Sequence, residues 1–155
     1  MTFNKLIAAA ACMSVLVFSS CKKDEKSKTE LLTSKTWVLK ASVISPGIVI
    51  QTGATVTDLY AQKEPCDKDD ELRFKTDKTY TEEEGSQKCK GTDPQVIETG
   101  NWNFNAAETV ITQTPTGGSL SEANLLKLDG GTLQVSVSKK EGGITYTVTN
   151  TYNPK

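Results

Sequence analysis

Glu71-Leu72-Arg73-Phe74-Lys75-Thr76-Asp77-Lys78-Thr79-Tyr80-Thr81-Glu82-Glu83-Glu84 reads as a β-hairpin, and it sets the class of the fold. Leu72 and Phe74 share one face of the first arm, and Tyr80 begins the second. A three-residue loop, Thr76-Asp77-Lys78, pairs Lys75 with Thr79 and Phe74 with Tyr80, so the two aromatics meet on one face as a favoured cross-strand pair. A two-residue turn at Asp77-Lys78 would oppose Lys75 to Tyr80 and split the aromatics. The first register is preferred. It places Lys78 in a left-handed conformation that glycine would hold at lower cost.

Outward from the hairpin, Ala61–Asp70 is polar, carries Pro65 and Cys66, and reads as a loop. Either register brings Cys66 within one residue of Cys89 if pairing continues that far. A bond across the base of the hairpin then closes a 24-residue ring, which contributes about 3 kcal/mol on the loop-entropy model.

On the N-terminal side, Trp37–Val43 alternates, with Trp37, Leu39, Ala41 and Val43 on one face. Glu30–Ser34 is either one helical turn or a lead-in. Pro46-Gly47 reads as a turn, and Ile48–Gln51 and Thr55–Tyr60 as weaker strands. On the C-terminal side, Asn101-Trp102-Asn103-Phe104 separates polar and aromatic faces, and Thr109–Thr114 ends at Pro115. Ser119–Leu128 suits helix or strand, with context favouring strand. Leu133, Val135 and Val137 alternate with polar residues; after Gly142-Gly143, so do Ile144, Tyr146 and Val148, out to Tyr152. About eight short strands with short connections predict an all-β fold, an antiparallel meander closed or nearly closed into a barrel. The alternative is a two-sheet sandwich.

Composition narrows function. Histidine is absent, which excludes Ser-His-Asp and Cys-His catalysis. Arg73 is the single arginine and no basic stripe exists, so no nucleic-acid partner is expected. The acidic runs Asp67, Asp69, Asp70, Glu71 and Glu82-Glu83-Glu84 read as a solvated face. Asp67-Lys68-Asp69-Asp70-Glu71 resembles the start of a calcium loop, but Leu72 sits where the turn glycine belongs and Lys78 where the bidentate Glu belongs. No metal, cofactor or catalytic residue is assigned, and the chain is expected not to be an enzyme.

The N-terminus reads as an address. Leu6–Phe18 is an apolar run of 13 residues behind Lys5, too short for a spanning helix and suited to a signal peptide. Phe18-Ser19-Ser20-Cys21 resembles the lipobox of bacterial lipoproteins, with Phe18 at the usual leucine position. The Ser-Ser-Cys ending is similar to that of Bacteroidetes lipoproteins, and Lys23-Asp24-Glu25 resembles their surface-export tag. The resemblance implies removal of residues 1–20, lipidation of Cys21, and anchoring to the outer membrane, facing the cell surface. Residues 21–30 then form a lipidated, charged and flexible tether, and residues 31–155 the domain. Cleavage removes one basic residue, taking the formal net charge from −1 to −2. Cys12 is discarded with the signal, which leaves Cys66 and Cys89 as a pair in an oxidising compartment.

Four features of the domain resemble the lipocalin-like domain of small Bacteroidetes lipoproteins. They are Leu31-Leu32-Thr33-Ser34-Lys35-Thr36-Trp37; Cys66 with Leu72-Arg73-Phe74 and Asp77-Lys78-Thr79-Tyr80; Cys89; and Gly100-Asn101-Trp102-Asn103-Phe104. Lys35 replaces the glycine of classical lipocalins, Lys78 the turn glycine, and no arginine follows Arg73, so no ligand residues are transferred from them. The resemblance implies a barrel holding a small apolar or amphipathic ligand, with Trp37, Phe74, Tyr80, Trp102 and Tyr146 as candidate lining. The competing expectation is that these aromatics fill the core and that the protein is a structural or protein-interaction lipoprotein without a small ligand.

Overall fold

The computed structural model describes residues 25–155. The predicted signal peptide, Cys21 and the start of the tether, residues 21–24, lie outside the described residues. Helix α1 (Lys28–Thr33) is followed by β1 (Thr36–Val49), β2 (Thr55–Asp58), a 3-10 turn (Pro65–Asp67), β3 (Glu71–Phe74), β4 (Thr79–Glu83), β5 (Val96–Phe104), β6 (Val110–Pro115), β7 (Ser121–Leu128), β8 (Leu133–Glu141) and β9 (Ile144–Pro154). Strands β3 to β9 form an antiparallel meander, and β1 closes it by pairing with both β3 and β9. This closure makes an eight-stranded barrel and decides against the sandwich. Strand β2 is an addition on the upper part of β1, opposite β9.

The hairpin register is the one read from the sequence: Phe74 opposes Tyr80, and Lys78 has φ 70°. The Lys78 ammonium lies 4.1 Å from the Trp102 ring centroid. That cation–π contact, worth about 0.5–1 kcal/mol at exposed sites, offsets the conformational cost of a side chain there. Asp77 sets the turn by accepting from the Thr79 amide (3.0 Å) and hydroxyl (2.6 Å).

Three local expectations are corrected. Pro46-Gly47 is not a turn but lies within β1, at an irregularity in the β1–β2 register. Proline lacks a ladder donor, and β9 pairing ends at Ser45 just before it. Gly47 lets β2 cross closely, since a Cβ there would meet the Thr55 and Thr57 methyls at 2.5 and 2.8 Å. The turn falls instead at residues 50–54, where Gly53 (φ +83°) donates to the Ile50 carbonyl. Second, α1 begins at Lys28, inside the stretch read as tether, because the Ser27 hydroxyl caps it by accepting from the Glu30 amide at 3.1 Å. Third, the cysteines do pair, but not by continuation of the hairpin. The β3–β4 ladder stops at Glu71 and Glu83, and Cys66–Cys89 joins the β2–β3 loop to the β4–β5 loop, with Cα atoms 5.2 Å apart. Ser119–Leu128 resolves as strand, from Ser121.

One end of the barrel is packed solid. Trp37, Phe74, Tyr80, Trp102, Ile111 and Leu133 are almost fully buried, and Leu32 of α1 caps the group. Trp102 meets Phe74 and Phe104 edge-on at 5.6 and 5.4 Å, and its indole N–H donates to the Lys75 carbonyl at 2.9 Å. The Trp37 indole N–H donates to the Leu32 carbonyl, also at 2.9 Å, tying the helical cap to β1. Among the described residues, every strand pairing and every core side chain lies between Lys28 and Pro154, and the barrel closes within them.

Candidate functional site

The other end is open. Alternation along β9 turns Ile144, Tyr146, Val148, Asn150 and Tyr152 inward, and along β8 Leu133, Val135, Val137, Lys139 and Glu141. On β1 a bulge between Leu39 and Ala41 resets the phase, so that Ser42 and Ile44 follow Trp37 and Leu39 on the inner face. The register aligns Ile44, Val148 and Val137 in one row, then Tyr146 with Lys139, then Ile144 with Glu141. These residues line a cavity of about 630 Å³ at the mouth. Its size lies within the usual range for small-molecule sites. Val137 and Ile144 remain 42% and 48% exposed there. They are apolar positions with inward phase that no opposing side chain covers.

Deeper along the same wall is a second cavity of about 190 Å³, lined by Leu39, Leu72, Tyr152, Asn150, Lys63, Asp67, Asp70 and Glu82. Here the reading of the acidic runs as a solvated face is corrected. Glu82 pairs across from Leu72 and shares the inward phase of Tyr80. The Tyr80 hydroxyl donates to Glu98 Oε1 at 2.5 Å. Burial, then the charges of Glu98 and Asp70, raise the Glu82 pKa; burial, then Glu84 and Asp67, raise that of Asp70. Burial, then Glu82, pushes the Tyr152 hydroxyl up to about 12. Period-2 alternation from Tyr80 was the signal for Glu82; a run of charges masked it.

The loops beside this chamber are fastened twice. Besides the disulfide, the Asp69 carboxylate accepts from the Ser86 amide and hydroxyl, both at 2.6 Å, and from the Gln87 amide at 3.1 Å. The Ser86 hydroxyl is the main cause holding the Asp69 pKa down. Cys66, Asp67 and Cys89 have metal-like proximity, but both sulfurs are taken up in the disulfide.

Of the five aromatics named as candidate lining, Tyr146 lines the mouth, whereas Trp37, Phe74, Tyr80 and Trp102 belong to the packed end. Ile44, Val137, Ile144 and Val148 were not singled out from the sequence, although their alternation was. Among the described residues, no helix is long and apolar enough to cross a membrane.

No curated protein matches the chain. The model of the lipocalin-like domain family matches residues 33–135, from the end of α1 into β8, more than half of the chain. The matched span includes the hairpin, both tryptophans, the disulfide cysteines Cys66 and Cys89 and most of the barrel, but not β9 and the outer half of β8, which build much of the mouth. A meander closed by β1, a helical cap at one end and a cavity at the other agree with that match, and the chain belongs to the lipocalin-like domain family.

Proposed function

We propose that this protein is a non-catalytic, lipid-anchored binding protein of the cell envelope that holds a small apolar or amphipathic molecule in the barrel mouth. The observation that carries the reading is the uncovered inner wall of β1, β8 and β9, where Ile44, Val137, Ile144, Tyr146 and Val148 line a cavity rather than a packed core. Covering such a wall releases water from apolar surface, roughly 25 cal/mol per Å². Anchoring through Cys21 at the outer membrane is supported by the lipobox-like Phe18-Ser19-Ser20-Cys21, and two acyl chains suffice for stable attachment. Because α1 caps the packed end, an anchor preceding it joins the barrel at the end opposite the mouth. In this reading the mouth faces away from the anchoring bilayer, towards the cell exterior.

Residues 25–155, titrated with a panel of long-chain alcohols and sterols, test the binding claim. Saturable heat by calorimetry and a rise in thermal midpoint are expected, and Tyr146→Ala should weaken both. A flat response across the panel refutes the reading and leaves the structural or interaction lipoprotein. For the anchor, full-length protein should sediment with membranes and Cys21→Ser should not; a variant that stays membrane-bound refutes it.

A further inference from the structure

Resting on the mouth reading above, we propose that the ligand is a cationic amphiphile: an apolar body along β1, β8 and β9, with an ammonium head in the acidic chamber beneath. The two cavities are consecutive stretches of one wall. Cross-strand pairs run from Ile44 and Val148 at the mouth, through Ser42 and Asn150, to Leu39 and Tyr152 in the chamber. A molecule seated in the mouth and extending past the row of Ser42, Asn150 and Val135 would enter the chamber.

The chamber's charge is one-sided. Asp67, Asp70 and Glu82 line it with Lys63 as their only cationic companion in the lining. Glu98 stands close enough to Glu82 to raise its pKa, and Glu84 acts likewise on Asp70. Carboxylates withdrawn from water and facing one another favour a counter-cation and disfavour a second anion.

An independent feature calls for a donor rather than a bare apolar group. Asp70 and Asn150, both in the lining of the chamber, each carry an Oδ1 shielded from solvent and without a hydrogen-bond donor. Asn150 is uncharged and sits on β9, so its unpaired oxygen is not a by-product of the acidic run. Native structures rarely leave such acceptors unpaired. An ammonium group brings up to three donors and a positive charge, which satisfies both deficits. A fatty acid would place its carboxylate against Glu82 and Asp70 and supply no donor when ionised.

Calorimetric titration of residues 25–155 with decylammonium, decanol and decanoate at pH 7 separates the possibilities, because the three share one apolar body. Decylammonium is expected to bind on the order of 10-fold more tightly than decanol, the gain of a charge-assisted hydrogen bond, with decanoate weakest. Glu82→Gln, or Asp70→Asn should the first fail to fold, is expected to bring the amine-to-alcohol ratio close to one. Equal affinities for amine and alcohol, or tightest binding of decanoate, overturn the head-group assignment while leaving the mouth reading intact. Binding of none of the three overturns both. Calcium or magnesium alone raising the thermal midpoint as far as decylammonium does would also overturn the assignment, since it would make the chamber a metal site.

Discussion

Gly100→Ala tests the packing at the closed end with a single methyl group. Gly100 lies opposite Tyr80 on one side and Pro115 on the other. A Cβ built there overlaps the Thr114 carbonyl oxygen and stands 2.7 Å from Tyr80 Cε1 and 2.9 Å from Pro115 Cα. Two of these three atoms are backbone of β6 and cannot rotate aside. The Tyr80 ring is 1% exposed and held by its bond to Glu98, so it has little room either. Overpacking of this kind costs about 1–3 kcal/mol, and removing a glycine from the unfolded chain returns about 0.4–1 kcal/mol. The net expected loss is about 1 kcal/mol, or roughly 3–6 °C in thermal midpoint for a domain of this size. Equilibrium urea unfolding followed by circular dichroism measures it, with an unchanged m-value showing that the denatured state is unaltered. Gly130→Ala is the control, because a Cβ there meets nothing within 4 Å and its φ is not in the left-handed region. If Gly100→Ala were as stable as Gly130→Ala, Tyr80 would not be packed across a glycine as described.

Three further outcomes follow from the same geometry. Replacing Cys66 and Cys89 together by serine should remove about 3 kcal/mol of stability and abolish the effect of reductant on the thermal midpoint; an unchanged midpoint would mean the bond does not form. Glu82 has a raised pKa in the folded state, so stability falls as pH rises from its unfolded value through the folded one. Glu82→Gln should therefore gain on the parent in stability as pH rises from 4 to 7; urea titrations across that range would show the parent gaining instead if the sign were wrong, and a constant difference if Glu82 were not shifted. Ile144→Lys, at a position 48% exposed, should change stability by less than about 0.5 kcal/mol yet weaken decanol binding in calorimetry, whereas a loss of several kcal/mol would place Ile144 in a packed core.

Much of the fold was legible because local patterns agreed. Phe74 and Tyr80 fixed the hairpin register, and β8 and β9 announced themselves by alternation, whereas β7 was read as strand only from its context. Pro46-Gly47 misled because the residues that make turns also make irregularities inside long strands; only the partners β2 and β9 distinguish them. The disulfide partners were found by counting, yet the loops that carry them leave the ladder and are tied to each other by Asp69 bonds to Ser86 and Gln87 that no spacing rule reveals. Glu82 was hidden because a charge run was read as one face, although Tyr80 and Glu82 share a phase. The mouth was the least legible element. Alternation turns Val137 and Val148 inward just as it does Leu133, but whether an inward side chain is covered depends on what closes over it from distant strands.

The central claim is that one end of the barrel is filled and the other receives a ligand. Methyl and amide chemical-shift mapping by NMR, with residues 25–155 titrated with decanol, tests it most directly. The account predicts saturable shifts at Ile44, Val137, Ile144, Tyr146 and Val148, with Trp37, Phe74, Trp102 and Leu133 unmoved. Shifts centred on the packed end or on the outer face of the barrel would contradict it, as would a spectrum that decanol leaves unchanged.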